Sequence, residues 1–188
     1  MKFEYETKHL VLRVLNENDA SIVYDFVIRN KADFEKYEPF HSPDYYTEVG
    51  QASILRAEYK AFLNLKYVRF YVFDKKNPFK VLGTVSYSHL RNSPYFSAIL
   101  GYKIDKDHRR EHVGLEAVSG ANNAIFKDLK VHRLECFIMP ENQASIKFIE
   151  RLGFKRNGLL EKSIEVKGKW EDHYLYSTLN PHKLKMYF

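Results

Sequence analysis

The run Arg109-Arg110-Glu111-His112-Val113-Gly114 combines residue types that hold an anion. It lies between a strand-like stretch, Ala98 to Ile104, and a helical pattern from Val113 to Leu129. Two guanidinium groups just before a helix start add to unpaired backbone N–H groups and the positive end of the helix dipole, and together these favour phosphate. Gly114 lets the backbone come close to a ligand, and Leu115 opens the helix proper; the competing reading is a solvated basic turn. Ser145 is the second residue of chemical interest. It precedes Phe148, Ile149 and Leu152 by helical spacings, so it shares their apolar face and points inward. An inward hydroxyl needs a partner, either a local carbonyl of the first turn or a group on which it acts. Asn142 stands where it can cap that helix or touch a ligand. His89 and His112 are of a type that titrates near neutrality and could serve as base, against the alternative that a lone histidine is more often structural.

These residues need elements to position them. Leu10 to Leu15 reads as a first strand, and Asn18 or Asp19 as the cap of a helix carrying Ile22, Val23, Phe26 and Val27 on one face. Residues 30 to 46, with Pro39 and Pro43, read as irregular, and a second helix is predicted from about Thr47 to Leu63. Strands are expected over Val68 to Phe73, Val81 to His89 and Tyr95 to Ile104. After the long helix come a strand from Arg133 to Ile138, a helix from about Gln143 to Arg151, and a closing strand pair around Lys167-Gly168. The sum is an α/β (α+β) fold with a largely antiparallel sheet flanked by helices, read as one domain over residues 1–188.

Composition narrows the function. A chain of 188 residues suits one domain with a real core, and 45% hydrophobic with 29% charged residues is globular in kind. The single cysteine, Cys136, leaves no internal disulfide and no thiolate metal cluster, and its strand context points to a buried thiol. Eight histidines without metal-ligand spacing give no support for a metal site. The net charge of +6 is spread, with 14 basic against 12 acidic side chains in residues 1–94 and 16 against 12 in residues 95–188, so a nucleic-acid stripe is not indicated. No run approaches the ~18 apolar residues of a membrane span, and the start lacks a signal-peptide core, so a cytoplasmic protein without membrane attachment is expected.

The order of these segments resembles the GNAT superfamily of acetyl-CoA-dependent N-acetyltransferases: the turn from Arg109 to Gly114, the strand His132 to Ile138, the block Pro140 to Ser145, and the closing Arg151-Leu152-Gly153-Phe154. Arg109 matches the first position of that superfamily's six-residue pyrophosphate-wrapping pattern and Gly114 its last, while His112 stands where Gly is usual. Thr7 to Arg13, Tyr37-Glu38-Pro39, Leu100-Gly101-Tyr102, Asn142 with Ser145, and Gly168 to His173 follow the order of the ribosomal-protein alanine N-acetyltransferases of RimJ and RimL type.

The resemblance implies acetyl-CoA as co-substrate, held by the turn Arg109, Arg110, Glu111, His112, Val113, Gly114 and Leu115. It implies that backbone groups of Tyr102, Lys103 and Ile104 hold the pantetheine arm and thioester oxygen, the competing reading for all three being ordinary sheet pairing. It implies a pantetheine contact for Asn142 and protonation of the departing sulfur by Ser145. Many relatives carry a glutamate where this chain has Ile99, so a base is missing there. Glu38 matches an acidic residue of a Trp-Glu-Pro element and is expected near the acceptor's ammonium group, against the alternative of an ordinary exposed loop carboxylate. Trp170 with Asp172 and His173 reads as an aromatic and charge cluster on a late strand; Trp170 is expected to pack in the core, whereas the resemblance implies a place near the acceptor site. The implied acceptor is a protein N-terminal α-amine, with a ribosome or ribosomal protein as partner. The alternatives are a small amine (polyamine, amino acid or aminoglycoside) or a module that binds acetyl-CoA or the ribosome without turnover. Monomer and homodimer stay open.

Overall fold

The computed structural model describes residues 1–109 and 112–182, so Arg110 and Glu111 of the basic turn lie outside the described residues. One eight-stranded sheet runs through the chain. Its strands are β1 (Glu4–Glu6), β2 (Leu10–Arg13), β3 (Val68–Asp74), β4 (Gly83–Arg91), β5 (Ser97–Ile104), β6 (Arg133–Ile138), β7 (Lys155–Val166) and β8 (Lys169–Leu179). They are ordered β1-β2-β3-β4-β5-β6-β8-β7, and every neighbouring pair is antiparallel except β5 with β6. A parallel pair needs a crossover, and the helix α3 (Val113–Asp128) supplies it.

Alternation along the strands feeds two separate cores. Leu10, Leu12, Phe70 and Val72 point to the face covered by α3 and by α4 (Gln143–Arg151), where they meet Val118, Ile125, Ile146 and Ile149. Val11, Tyr71 and Phe73 point to the other face, against Val23, Phe26 and Val27 of α1 (Ala20–Phe34) and Leu55 of α2 (Glu48–Leu63).

Several boundaries differ from the sequence expectation, each for a local reason. Asp19 stands at the N-cap position of α1 as expected but makes no side-chain cap there; the capping box lies one turn earlier, where the Asn16 side chain accepts from the Asn18 N–H and the Asp19 carboxylate accepts from the Asn16 N–H. A short 3₁₀ turn (Glu17–Asp19) then leads into α1. Helix α1 continues to Phe34, through residues expected to be irregular, because Asn30 is buried and tertiary contacts hold it. Its amide donates to the Phe26 carbonyl at 2.9 Å and its side-chain oxygen accepts from the Lys106 N–H at 2.7 Å. Helix α2 begins where predicted, with the Thr47 hydroxyl accepting from the Gly50 N–H.

The buried Asp105 fixes the end of β5 from the same side. Its carboxylate accepts from Arg29 Nε at 2.6 Å and from the Asp107 N–H at 3.0 Å, which ties α1 to the turn leading to Arg109.

Candidate active site

The parallel pairing of β5 and β6 covers only Ser97 to Ile99 against Arg133 to Glu135. Beyond it the strands part. β5 stays paired to β4 as far as Ile104, and β6 stays paired to β8 as far as Ile138, so each lip of the opening is rigid. The gap is a cleft of about 990 Å³ that runs from the start of α3, past β5 and α4, to the loop after α1. Backbone groups of Leu100 to Ile104 that a continuing sheet would have paired face this gap instead.

At one end stands the start of α3. His112 occupies its N-cap with a left-handed backbone (φ 60°) and makes no side-chain cap, and among the described residues no side chain takes the first-turn N–H groups, a geometry that suits an anion. The turn that a glycine usually makes is therefore made here by histidine. Gly114 is buried and lines the cleft. A Cβ there would sit 2.9 Å from the Phe148 ring and 3.3 Å from Ile104, so the glycine is required first by the close approach of α4 and β5. Leu115 also lines the cleft, whereas Val113 packs against the α3 core. The Arg109 side chain is 44% exposed, 3.4 Å from Asp33, and reaches the mouth.

In the middle lies a pair of hydroxyls. Alternation on β5 sends Tyr102 to the α4 side, where its ring packs on Phe148 and its hydroxyl lies 2.5 Å from Ser145 Oγ. Asn142 caps α4 by accepting from the Ser145 N–H at 3.1 Å, and it also lines the cleft. Among the described residues the partner of the Ser145 hydroxyl is Tyr102, not a carbonyl of its own first turn. Burial pushes the Tyr102 phenol well above its usual pKa, with the nearby Cys136 acting in the same direction and Ser145 against it, so the phenol keeps its proton. Cys136 lines the opposite lip; burial pushes its thiol up to about 12, which holds it uncharged near neutrality.

At the far end β5 sends its next side chain to the opposite face. Lys103 Nζ lies 2.6 Å from Glu38 Oε1, and His41 Nε2 lies 2.9 Å from Glu38 Oε2, with the His41 ring stacked on Tyr45. Glu38 is thus not an exposed loop carboxylate; only 18% of its side chain is accessible. Burial works to raise its pKa, but Lys103 and His41 outweigh that and hold it below the usual value, so it stays ionised. Burial lowers the Lys103 ammonium below its usual pKa, with Glu38 acting the other way.

Of the sequence-selected residues, Glu38, Tyr102, Lys103, Ile104, Arg109, His112, Gly114, Leu115, Asn142 and Ser145 all line this one cleft. One reading is corrected. Trp170, expected in the core, is 59% exposed at the start of β8, opposite a β7 strand that is itself exposed over most of its length, while His173, three residues on, is buried and reaches the cleft. His89 sits exposed at a bulge in β4 and does not line the cleft. Sequence reasoning treated Tyr102 and Lys103 as backbone contacts and passed over His41 and Arg69. The period-2 alternation of β5 already placed the two β5 side chains on opposite faces, and that was the available signal.

One sheet split beside an uncapped helix start, with a hydroxyl pair in the gap and an ionised carboxylate at its far lip, is the architecture of an α/β acyltransferase. Comparison with known proteins gives the family. Residues 9–155 match the acetyltransferase (GNAT) domain. The chain is 30% identical to the probable N-acetyltransferase YjcK of Bacillus subtilis, over 93% of this chain and 96% of that one. The structure of the ribosomal-protein-S5-alanine acetyltransferase from Vibrio fischeri superposes with a TM-score of 0.88 at 28% identity, covering 96% of this chain and 98% of that one. Mycobacterium smegmatis RimJ, in complex with CoA-disulfide, has the same fold, with a TM-score of 0.84 at 21% identity over 90% and 81% of the two chains. The chain belongs to the GNAT acetyltransferase family and is an acetyl-CoA-dependent N-acetyltransferase.

Proposed function

We propose that this enzyme transfers the acetyl group directly to the α-amine of a protein or peptide N-terminus of the ribosomal-protein kind, with Ser145 as general acid. The observation that supports the reading is the two-ended cleft: a helix start without a described side-chain cap at one end, an ionised carboxylate at the other, and a strand edge unpaired with β6 between them. When bound, acetyl-CoA supplies a thioester whose carbonyl carbon exchanges its bond to sulfur for a bond to the acceptor nitrogen.

The residues fit such a ligand. The uncapped N–H groups of α3 and the Arg109 guanidinium suit its pyrophosphate, and the free edge of β5 from Leu100 to Ile104 suits the amide groups of its pantetheine arm and the thioester oxygen. Tyr102 retains its proton and can donate it in the hydrogen bond to Ser145 Oγ; in that arrangement the Ser145 hydrogen is available to the departing sulfur. Glu38, ionised and reachable through the cleft, draws the acceptor's ammonium group. A Glu38 carboxyl held below its usual pKa is a poor proton acceptor, so the ammonium it draws loses its proton to solvent before the neutral amine attacks, and the second proton, released as the amide forms, returns through solvent to the Ser145 oxygen that gave its own to sulfur.

The test is release of free thiol with peptides bearing a free Ala or Ser N-terminus, the same peptides blocked there, spermidine and an aminoglycoside. We expect the free peptides alone to be acetylated, a rate that rises through the α-amino pKa of about 7.7–8.0, and a Glu38→Ala variant that raises KM more than it lowers kcat. Spermidine or the aminoglycoside exceeding every peptide in kcat/KM would replace the peptide acceptor by a small amine.

A further inference from the structure

The acceptor end of the cleft carries more charge than a bare amine requires. Beside the Glu38–Lys103 pair lies a second one, Arg69 Nη1 at 2.6 Å from Glu58 Oε1. The Tyr71 hydroxyl donates to the other oxygen of Glu58 at 3.2 Å. The two pairs differ in what they present to the cleft. Glu38, Lys103 and Arg69 line it, with the hydroxyl-bearing Thr84 and Ser86 beside them, whereas Glu58 lies behind Arg69 and does not. An acceptor entering from this side therefore meets two cations and one carboxylate. A quarter of each cationic side chain remains accessible, 25% for both Arg69 and Lys103.

The donors also exceed their partners. A guanidinium carries five N–H donors in a fixed fork. Arg69 places one nitrogen on Glu58, and its Nε–H is buried with no hydrogen-bond partner among the described residues. That buried Nε–H is closed to a ligand; what an acceptor's oxygen can meet is the accessible quarter of the Arg69 side chain, which lines the cleft.

We infer that the acceptor end reads an α-aminoacyl group, with the amine against Glu38 and the oxygen on the adjoining carbon against Arg69 and Lys103. This rests on the proposed function, in which the acceptor amine is drawn to Glu38. It adds a specificity determinant, Arg69, and a substrate rule: the amine is accepted together with the carbonyl next to it. A polyamine would place further positive charge against two cations. A simple alkylamine would leave the arginine donors unmet. The oxygen can come from a peptide carbonyl or from the carboxylate of a free amino acid, which share this chemistry.

The experiment compares isopropylamine, L-alaninamide, L-alanine, an alanine-initiated peptide and spermidine by kcat/KM, in the wild type and in Arg69 variants. Arg69→Gln alone strands Glu58 as an unpaired buried charge, so the informative variant is Arg69→Gln with Glu58→Gln. The readout is the ratio of alaninamide to isopropylamine within each preparation, since partial unfolding scales both rates alike. Comparing that ratio between wild type and variant cancels the difference in amine basicity. Loss of a charge-assisted hydrogen bond to the carbonyl should lower the ratio about 10- to 100-fold in the double variant. An unchanged ratio overturns the inference. With the ratio lowered as expected, alanine above the peptide assigns the oxygen to a carboxylate and the peptide above alanine assigns it to an amide carbonyl. Peptides preferred with an unchanged ratio sink the inference and leave the proposed acceptor standing, whereas spermidine preferred over all others, or no acceptor used at all, sinks both.

Discussion

At the scale of single residues, the hydroxyl pair is the most exposed to test. Ser145→Ala should lower kcat by about 10²- to 10⁴-fold, the usual worth of a positioned acid, while the dissociation constant for acetyl-CoA measured by calorimetry stays near that of the wild type. Tyr102→Phe keeps the ring on Phe148 but removes the hydroxyl 2.5 Å from Ser145. Its kcat should fall less than that of Ser145→Ala, and the double variant should be no slower than Ser145→Ala alone, because the tyrosine acts through the serine. Independent, multiplying losses would mean that Tyr102 has a separate role. Both residues were within reach of sequence reasoning, Ser145 by its helical spacing and Tyr102 by its strand parity. Their pairing was not, because it depends on where α4 crosses β5.

At the scale of elements, the cleft depends on α3 and α4 lying close to β5, and Gly114 is where they meet. Gly114→Ala places a methyl group 2.9 Å from the Phe148 ring, so something must shift; overpacking of this kind costs about 1–3 kcal/mol, read as a lower melting temperature. The other side of α3 is tied to the β1–β2 turn by Glu116, which accepts from the Thr7 hydroxyl and from the His9 N–H at 2.6 Å and faces His9 Nδ1 at 2.8 Å. Burial acts to raise the Glu116 carboxyl, but these partners win and hold it down to about 2. A carboxyl whose folded pKa lies below its unfolded value of about 4.3 adds stability that is fully present above that value and is lost as pH falls toward 2. Melting curves of the wild type and of Glu116→Gln should therefore differ at pH 6 and converge between pH 4 and 2. A constant gap across that range would assign the role of Glu116 to packing.

At the scale of the whole molecule, the open cleft makes stability and ligand binding one quantity. Acetyl-CoA at about a hundredfold over its dissociation constant should add roughly 2.7 kcal/mol by mass action, which for a chain of this length is a rise of several degrees in melting temperature. Arg109→Ala should shrink the rise most clearly at low salt, since that side chain is 44% exposed and screened at higher ionic strength. A melting curve unmoved by saturating acetyl-CoA would remove the helix start of α3 from the proposed site.

What the sequence alone determined is local. Helix α4, strand β6, the start of α2 at Thr47 and the Lys167-Gly168 turn fall where periodicity and capping chemistry placed them, because a cap or a turn is decided by residues three or four positions away. The basic turn, Ser145 and Glu38 were legible as types of residue, and their order along the chain carried the family resemblance. The tertiary structure decided what those types do. Nothing near Glu38 in sequence indicates that Lys103 holds it ionised, since that contact depends on how the loop after α1 lies across β5. Nothing in the strand pattern of β5 indicates that its pairing with β6 ends at Ile99, because a strand facing a cleft and a strand facing a neighbour bear the same alternation. The exposure of Trp170 and the continuation of α1 to Phe34 follow the same rule: propensity and period set the local conformation, and burial by distant segments sets which side chains become core, surface or site.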